Sequence, residues 1–475
     1  MLVGREKERG ILERVLDSES SELVAVLGRR RVGKTFLIHS VFEGKIRFET
    51  SGVKNATLRE QLGNFHFRLK LSFGEHAPSK PPKTWQEAFF ALTLCLENDV
   101  SQHQNVLFFD EVPWLATARS KFLNALSFFW NTWAVQHKVI VVLCGSAASW
   151  MLQKLINDKG GLHNRITKRI ELKPFTLRET EDFLKSRHIN LDRYQTAMLY
   201  MALGGIPHYL NEVTKGKSAH QNIQDVCFSP GGTLQSEFSR LYPALFDNPE
   251  HHIAVVRALA AKPTGMGRPE ILAAVGIPDG GAFSLCLEEL EASGFISSYF
   301  SFGRKRKDMV YRLTDEYSLF FLKFIATRPN LDKHIWTNLS QTQSYKAWVG
   351  YAFESLCLKH IVQIKKALGI SGVYSESSAF YRSAQAGTEG VQVDLLIDRQ
   401  DNVINLFEIK FHSEPYVLTK SAADGLRRKS ALFRHYSQSS KHIFLNLLSP
   451  RGLIENEHSL GLIDQALDID ALFTH

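Results

Sequence analysis

Cysteine is scarce and scattered in this chain: Cys95, Cys144, Cys227, Cys286 and Cys357 are its five, an odd number, and none forms a C-x-x-C pair. That spacing argues against a disulfide framework and against a zinc knuckle. No run of about 18 apolar residues occurs, the length a membrane-spanning helix needs. The start, Met1-Leu2-Val3-Gly4-Arg5-Glu6, is charged within a few residues, unlike a signal peptide. A reducing, cytoplasmic setting with no membrane partner is therefore expected. Nor is charge strongly one-sided: 57 Lys+Arg against 49 Asp+Glu leave +8, which suits an acidic polymer as partner and equally suits a protein with none.

What is present is length for several cores and one nucleotide-binding signature. At 475 residues the chain exceeds a single core, and roughly 150 residues per domain gives three or four domains. The apolar strand Leu23 to Leu27 runs into Gly28-Arg29-Arg30-Arg31-Val32-Gly33-Lys34-Thr35-Phe36 and then a helical pattern. Gly-x-x-x-x-Gly-Lys-Thr between strand and helix reads as a P-loop: backbone N–H groups curl around a β-phosphate, Lys34 reaches the β- and γ-phosphates, and the Thr35 hydroxyl is placed to ligate Mg²⁺. The three arginines either clamp phosphate or face an acidic neighbour.

Two further apolar runs complete the pattern. Asn105 to Phe109 ends in Asp110-Glu111, about 75 residues beyond the P-loop, as a central parallel strand with two acids at its carboxyl end would. Asp110 is the candidate holder of Mg²⁺ through water, and Glu111 the base that orients and deprotonates the attacking water. Lys138 to Gly145 is a second buried strand, followed by Ser146, which either feels the γ-phosphate or caps the helix after it.

Beside the P-loop, Gly4-Arg5-Glu6 and an amphipathic helix resemble the segment that packs on adenine in AAA-type and STAND ATPases. The stretch Gly161 to Thr176, with Asn164-Arg165 and Leu172-Lys173-Pro174-Phe175, resembles the archaeal-type ATPases, a prokaryotic AAA/STAND family. Asn164 replaces the glycine common there. The resemblance makes Arg165 a candidate for stabilising γ-phosphate charge, in cis or from a neighbouring subunit, with a surface salt bridge as the alternative. It also implies a helical lid, whose Gly204-Gly205-Ile206-Pro207-His208-Tyr209-Leu210 matches a family motif near the nucleotide. His208 could touch phosphate there, or is simply a surface residue.

Residues 252–312 predict three short helices and a hairpin, the order of a winged helix-turn-helix. Arg304-Lys305-Arg306-Lys307 form a cationic hairpin tip suited to phosphates. Glu288, Glu289 and Glu291 in the third helix suit DNA poorly if they point outward, and protein docking is the other use of such a domain. Farther on, a helix carries Glu354 within an apolar and aromatic face, and a buried acid needs a reason. Strands Val391 to Asp398 and Val403 to Lys410 form a hairpin in which Asp394 and Glu408 can approach one metal and Lys410 shares the face of Glu408.

This set resembles the PD-(D/E)xK nuclease superfamily, with Val393 in place of the motif's proline. The resemblance implies that Asp394, Glu408 and the Ile409 carbonyl hold Mg²⁺. Lys410 would help generate hydroxide and balance developing charge, and Glu354 would bind metal directly or through water. Arg427-Arg428-Lys429 would supply cations to a nucleic-acid backbone, or would be a solvated helical face. The expected fold is α/β: a P-loop parallel-sheet ATPase core over 1–175, a helical lid over 176–247, a winged helix-turn-helix over 248–330, and a restriction-endonuclease-like domain over 331–475. ATP and Mg²⁺ are the expected cofactors, DNA the expected partner, and a homo-oligomer is conceivable. The expected function is an ATPase coupled to a DNA-cleaving domain, or else an ATP-gated DNA- or protein-binding switch that does not cut.

Overall fold

The computed structural model describes residues 2–98, 105–117, 119–156, 162, 164–300, 302, 309–328, 335–382, 384 and 389–474. The chain forms two compact units, one of Met1–Lys173 with Leu245–Asp247 and Glu288–Ser293, the other of Pro174–Ala244, Asn248–Leu287 and Gly294–His475. All five cysteines are buried free thiols. Among the described residues no helix is long and apolar enough to cross a membrane.

In the first unit five parallel strands, β1 (Glu22–Leu27), β2 (Ile46–Ser51), β3 (Val106–Asp110), β4 (Ile140–Gly145) and β5 (Lys168–Glu171), take the order β2-β3-β4-β1-β5. Every residue of β1, β3 and β4 is buried, which is why these strands read as unbroken apolar runs instead of alternating. Helices Leu58–Phe73, Trp85–Glu97 and Phe122–Thr132 bury aromatics against the sheet: the Trp85 ring meets Phe122 edge-on at 4.9 Å, and Phe89 stacks on Phe129 at 5.2 Å. After β1 the chain crosses to β2 at the far edge and returns through β3 and β4, so the carboxyl ends of β3, β4 and β1 lie side by side where the order reverses, a topological switch point.

The second unit begins with a helical bundle. Capping boxes at Thr176 and Ser218 start the helices Leu177–Ser186 and Ala219–Cys227. Gly205 is required by close packing: a Cβ there would lie 2.1 Å from the Phe175 carbonyl oxygen, and the Phe175 N–H donates to the Gly205 carbonyl at 2.6 Å. Helices Pro249–Ala261 and Arg268–Val275 follow, then Gly281–Ala292, whose residues from Glu288 on count with the first unit, and a small antiparallel sheet of β6 (Met266–Gly267), β7 (Ile296–Tyr299) and β8 (Val310–Leu313) in the order β6-β8-β7. The cationic tip, Arg304 to Lys307, lies outside the described residues.

The remaining chain builds a five-stranded mixed sheet from β9 (Ser375–Arg382), β10 (Val391–Arg399), β11 (Val403–Ile409), β13 (His442–Leu448) and β15 (Gln465–Leu467). Its order is β15-β13-β11-β10-β9, while β12 (Tyr416–Val417) pairs separately with β14 (Leu453–Ile454). The helix Lys420–Ser437 drives Phe433 into an apolar cluster with Val393, Leu396, Ile404 and Leu406. A shift in the β9–β10 register between Val393 and Leu396 lets these two, three positions apart, enter the same cluster. The bundle is fastened to this sheet region: Phe411 lies between Tyr194 (4.9 Å, stacked) and Phe353 (5.0 Å), and the His360 Nε2 accepts the Leu177 N–H at 3.0 Å.

Candidate functional site

The P-loop leaves β1 at Gly28, where a Cβ would meet the Leu172 carbonyl oxygen at 2.3 Å, so β5 can close over the loop only if this residue is glycine. The following helix, Lys34–Val41, starts at Gly33 with φ of 92°. Lys34 is buried and donates to the carbonyls of Gly28 (2.8 Å) and Arg29 (3.0 Å), so its ammonium lies within the curl of the loop. Thr35 Oγ1 donates to Asp110 Oδ2 at 2.8 Å, and the other oxygen of Asp110 accepts the Glu111 N–H at 2.9 Å. A hydroxyl and a carboxylate side by side are the hard oxygen donors that Mg²⁺ takes, so the residues fit that ion.

Glu111 stands just past the end of β3 with φ of 47°, a left-handed conformation uncommon for a residue with a Cβ. Its carboxylate is gripped by Ser146 at the end of β4: the Ser146 hydroxyl reaches both oxygens, at 2.9 and 2.7 Å, and the Ser146 N–H donates at 3.2 Å. The next helix is capped by Ala147 without a side-chain bond, so Ser146 is not its side-chain cap.

The other predicted residues around the loop separate. Arg29 is buried, Arg30 exposed, and Arg31 has φ of 72°. Val32 is buried and its carbonyl accepts from buried Arg5 at 3.3 Å, which ties the Gly4-Arg5-Glu6 segment to the loop. Phe36 is exposed. Arg165 is exposed in a turn before β5, its N–H donating to Leu162, and among the described residues its guanidinium meets no partner. The Gly204-to-Leu210 motif is occupied internally, with the Tyr209 hydroxyl donating to Glu237 at 3.0 Å, while His208 is exposed.

In the second unit the antiparallel register Leu395↔Phe407 and Leu396↔Leu406 places Asp394 and Glu408 opposite each other on the next rung. Glu408 is buried, and its two oxygens meet two ammonium groups: Lys410 at 2.6 Å and Lys429 at 2.5 Å. Burial works against its charge, but the two lysines prevail and hold its carboxyl below the ordinary value. Asp394 accepts from Gln392 Nε2 at 2.8 Å. Glu354 comes from the helix Gln343–Lys359. Burial first, and the neighbouring Asp394 charge second, push its pKa up to about 7, while Arg312 and Lys410 oppose the rise.

Arg312 is buried on β8, donates to the Pro263 carbonyl at 3.1 Å, and stands 5.3 Å from the Tyr351 ring, one turn from Glu354 on the same helix. Three carboxyl groups (Glu354, Asp394, Glu408) thus share this region with three cations (Arg312, Lys410, Lys429), Glu354 being only partly ionised near neutral pH. Among the described residues no three His, Cys, Asp or Glu side chains stand together as a metal-ligating group. A divalent ion bound here would find the Asp394/Glu408 pair and the Ile409 carbonyl as donors, hard oxygens whose chemistry suits Mg²⁺ or Mn²⁺.

Residues 2–213 match the family described as an ATPase domain predominantly from Archaea. This part of the chain is an ATPase domain. An uncharacterized protein of Methanocaldococcus jannaschii is 22% identical over 440 residues, covering 91% of this chain and 92% of that protein. Among solved structures, the Walker-type ATPase of Pyrococcus abyssi is similar over 68% of this chain and 96% of its own, with 18% identity and a TM-score of 0.48. The Aeropyrum pernix ORC2 protein, solved in ADPNP and ADP complexes, is similar over 72% and 94%, with 15% identity and a TM-score of 0.39.

The sequence singles out Lys34, Thr35, Asp110, Glu111 and Ser146 but does not show that Ser146 hydrogen-bonds Glu111. In the second unit it does not single out Arg312, and it groups Lys429 with Arg427 and Arg428 as one cationic face. The structure separates the three: Arg427 pairs with Asp424 at 2.9 Å, Arg428 pairs with Glu389, and Lys429 turns in to Glu408. The signal for Lys429 was helical spacing. Phe433, one turn later, is the core residue of that face, and Glu408 lies two residues beyond Leu406 on the strand it covers.

Proposed function

We propose that the ATPase domain hydrolyses ATP with Mg²⁺ and that its nucleotide state governs a DNA-directed site of the PD-(D/E)xK type in the second unit. For the first half, the support is the contact chain Thr35–Asp110 and Glu111–Ser146 at adjoining strand ends. Lys34 would exchange two neutral carbonyls for charged phosphate oxygens, the stronger acceptors. Glu111 would keep one oxygen on Ser146 and turn the other to the attacking water, taking its proton. Bound Mg²⁺ supplies neutralisation of phosphate charge. Arg165, exposed and uncommitted, is available to the γ-phosphate in cis or to a neighbouring copy in a STAND-like assembly.

For the second half, the observation that carries the reading is the rung shared by Asp394 and Glu408, with Lys410 on Glu408 and Glu354 close by. Residues 248–330 would form a winged helix that binds DNA. In cleavage Lys410 would activate water and balance the charge gathering on the phosphate, and a bound divalent ion would supply Lewis acidity. The test is Mg²⁺-dependent degradation of single- and double-stranded DNA by the full chain, expected to vanish in Asp394→Ala and Lys410→Ala. Degradation that persists in both variants would sink the reading.

A second reading is an ATP-gated switch that binds DNA or a partner protein and cuts nothing. It is favoured by the pairing of both Glu408 oxygens with Lys410 and Lys429, which lets the cluster stand as a structural network. Absence of any cleavage, with DNA binding that responds to ATP, is its expected signature.

A further inference from the structure

Glu408 carries more positive charge than its motif explains. Lys410, two residues on, accounts for one oxygen, whereas the other is held at 2.5 Å by Lys429 from a separate element, the helix Lys420–Ser437. That lysine is not a stray surface cation. Its side chain is 22% exposed, and Phe433 one turn later anchors the same helix face in the core, so the helix delivers the ammonium to this spot. Arg427 and Arg428 beside it are spent on Asp424 and Glu389.

We propose that Lys429 is a built-in antagonist of divalent-cation binding at the Asp394/Glu408 site, an inference that rests on reading that site as a metal centre. A carboxylate has about four lone-pair positions, so two ammonium groups do not fill it geometrically, and the opposition is one of charge. With Lys429 in place the two ligand carboxylates, Asp394 and Glu408, are matched by two ammonium groups, Lys410 and Lys429, and a divalent ion approaches a neutral set. Without it the cluster is net negative, and a like charge no longer sits on the carboxylate that must serve as ligand. The alternative role, a lysine that merely orients Glu408 as a ligand's outer partner, predicts the opposite: loss of such partners weakens metal binding about 10- to 100-fold. Lys429 would then set how readily the site takes up metal, and a competing anion such as a backbone phosphate would release it.

The experiment is Mn²⁺ binding to the full chain without nucleotide, read from the electron paramagnetic resonance of free Mn²⁺ and counting only binding that Asp394→Ala removes. Lys429→Met is expected to tighten this affinity about tenfold, the equilibrium equivalent of removing one partly screened like charge. Lys429→Arg, which keeps the cation, is expected to leave it nearly unchanged. Lys429→Gln, with circular dichroism as the fold check, serves if the methionine variant is unstable and carries the same expectation. Unchanged or weaker binding in the neutral variants, while Asp394→Ala still removes wild-type binding, overturns the antagonist role and leaves the metal site standing. No Asp394-dependent binding in either wild type or Lys429→Met overturns the metal reading and this inference with it.

Discussion

His360 should make the stability of the second unit fall with acid in a way one substitution can isolate. The ring is 2% exposed; its Nδ1–H donates to the Leu356 carbonyl at 2.8 Å and its Nε2 accepts the Leu177 N–H at 3.0 Å, an arrangement available only to the neutral tautomer. Burial first, and the Lys359 charge in addition, lower its pKa from 6.5 to about 4. The folded value is thus depressed: above 6.5 both states are neutral and the interaction is fully present. As pH drops, the unfolded chain takes up a proton that the folded one refuses, until the folded pKa is passed. Linkage gives a loss of about 2 kcal/mol between pH 7 and pH 5, approaching ~3 kcal/mol at lower pH. Urea unfolding followed at a series of pH values in wild type and in His360→Gln, which retains a donor and an acceptor but does not titrate, measures the difference. The variant should be less stable at pH 7 by roughly 1 to 3 kcal/mol and should close that gap as pH falls. Parallel stability curves for the two proteins from pH 7 to 5 would refute the assignment of a buried neutral imidazole.

Other outcomes follow from the same contacts. Glu111→Gln should bind ATP and fail to turn it over, and Ser146→Ala should lower kcat by about ten- to a hundredfold with nucleotide affinity little changed, the loss expected for hydrogen bonds to a charged group; steady-state turnover beside fluorescent-nucleotide binding checks both, and wild-type rates would remove the base role of Glu111 and the supporting role of Ser146. Gly205→Ala should destabilise the second unit by about 2 kcal/mol or more, because the new methyl meets the Phe175 backbone, and an unchanged melting temperature would show that the bundle yields at that point. If Arg165 acts between copies, mixing Arg165→Ala with Lys34→Ala protein should recover turnover that neither has alone, and no recovery would point to action within one chain or to none.

The legible parts of the fold were those in which one strand or one short loop carries the whole signal. The buried runs of β1, β3 and β4 mark themselves by unbroken apolarity, and the P-loop announces its backbone by glycine spacing. The hairpin alternation sufficed to set Asp394 opposite Glu408, because a period of two fixes faces once a short turn fixes register. What stayed hidden needed partners far apart in sequence. Ser146 and Glu111 belong to neighbouring strands whose adjacency is topological. Arg312 reaches the vicinity of Glu354 from another sheet, and Lys429 comes from a helix whose three consecutive cations look alike until Phe433 shows which way the helix faces. At Gly204 to Leu210 the local contacts were equally hidden: Gly205 packs on Phe175 and the Tyr209 hydroxyl donates to Glu237 inside the bundle.

DNA cleavage with Mg²⁺ and ATP in wild type, Glu111→Gln and Asp394→Ala shows whether nucleotide turnover in one unit governs a metal-dependent site in the other. Under such control wild type cleaves, Glu111→Gln cleaves at an altered rate although its Asp394/Glu408 site is intact, and Asp394→Ala does not cleave although its ATP turnover is normal. Equal cleavage in wild type and Glu111→Gln with and without ATP, or cleavage that survives Asp394→Ala, would contradict it.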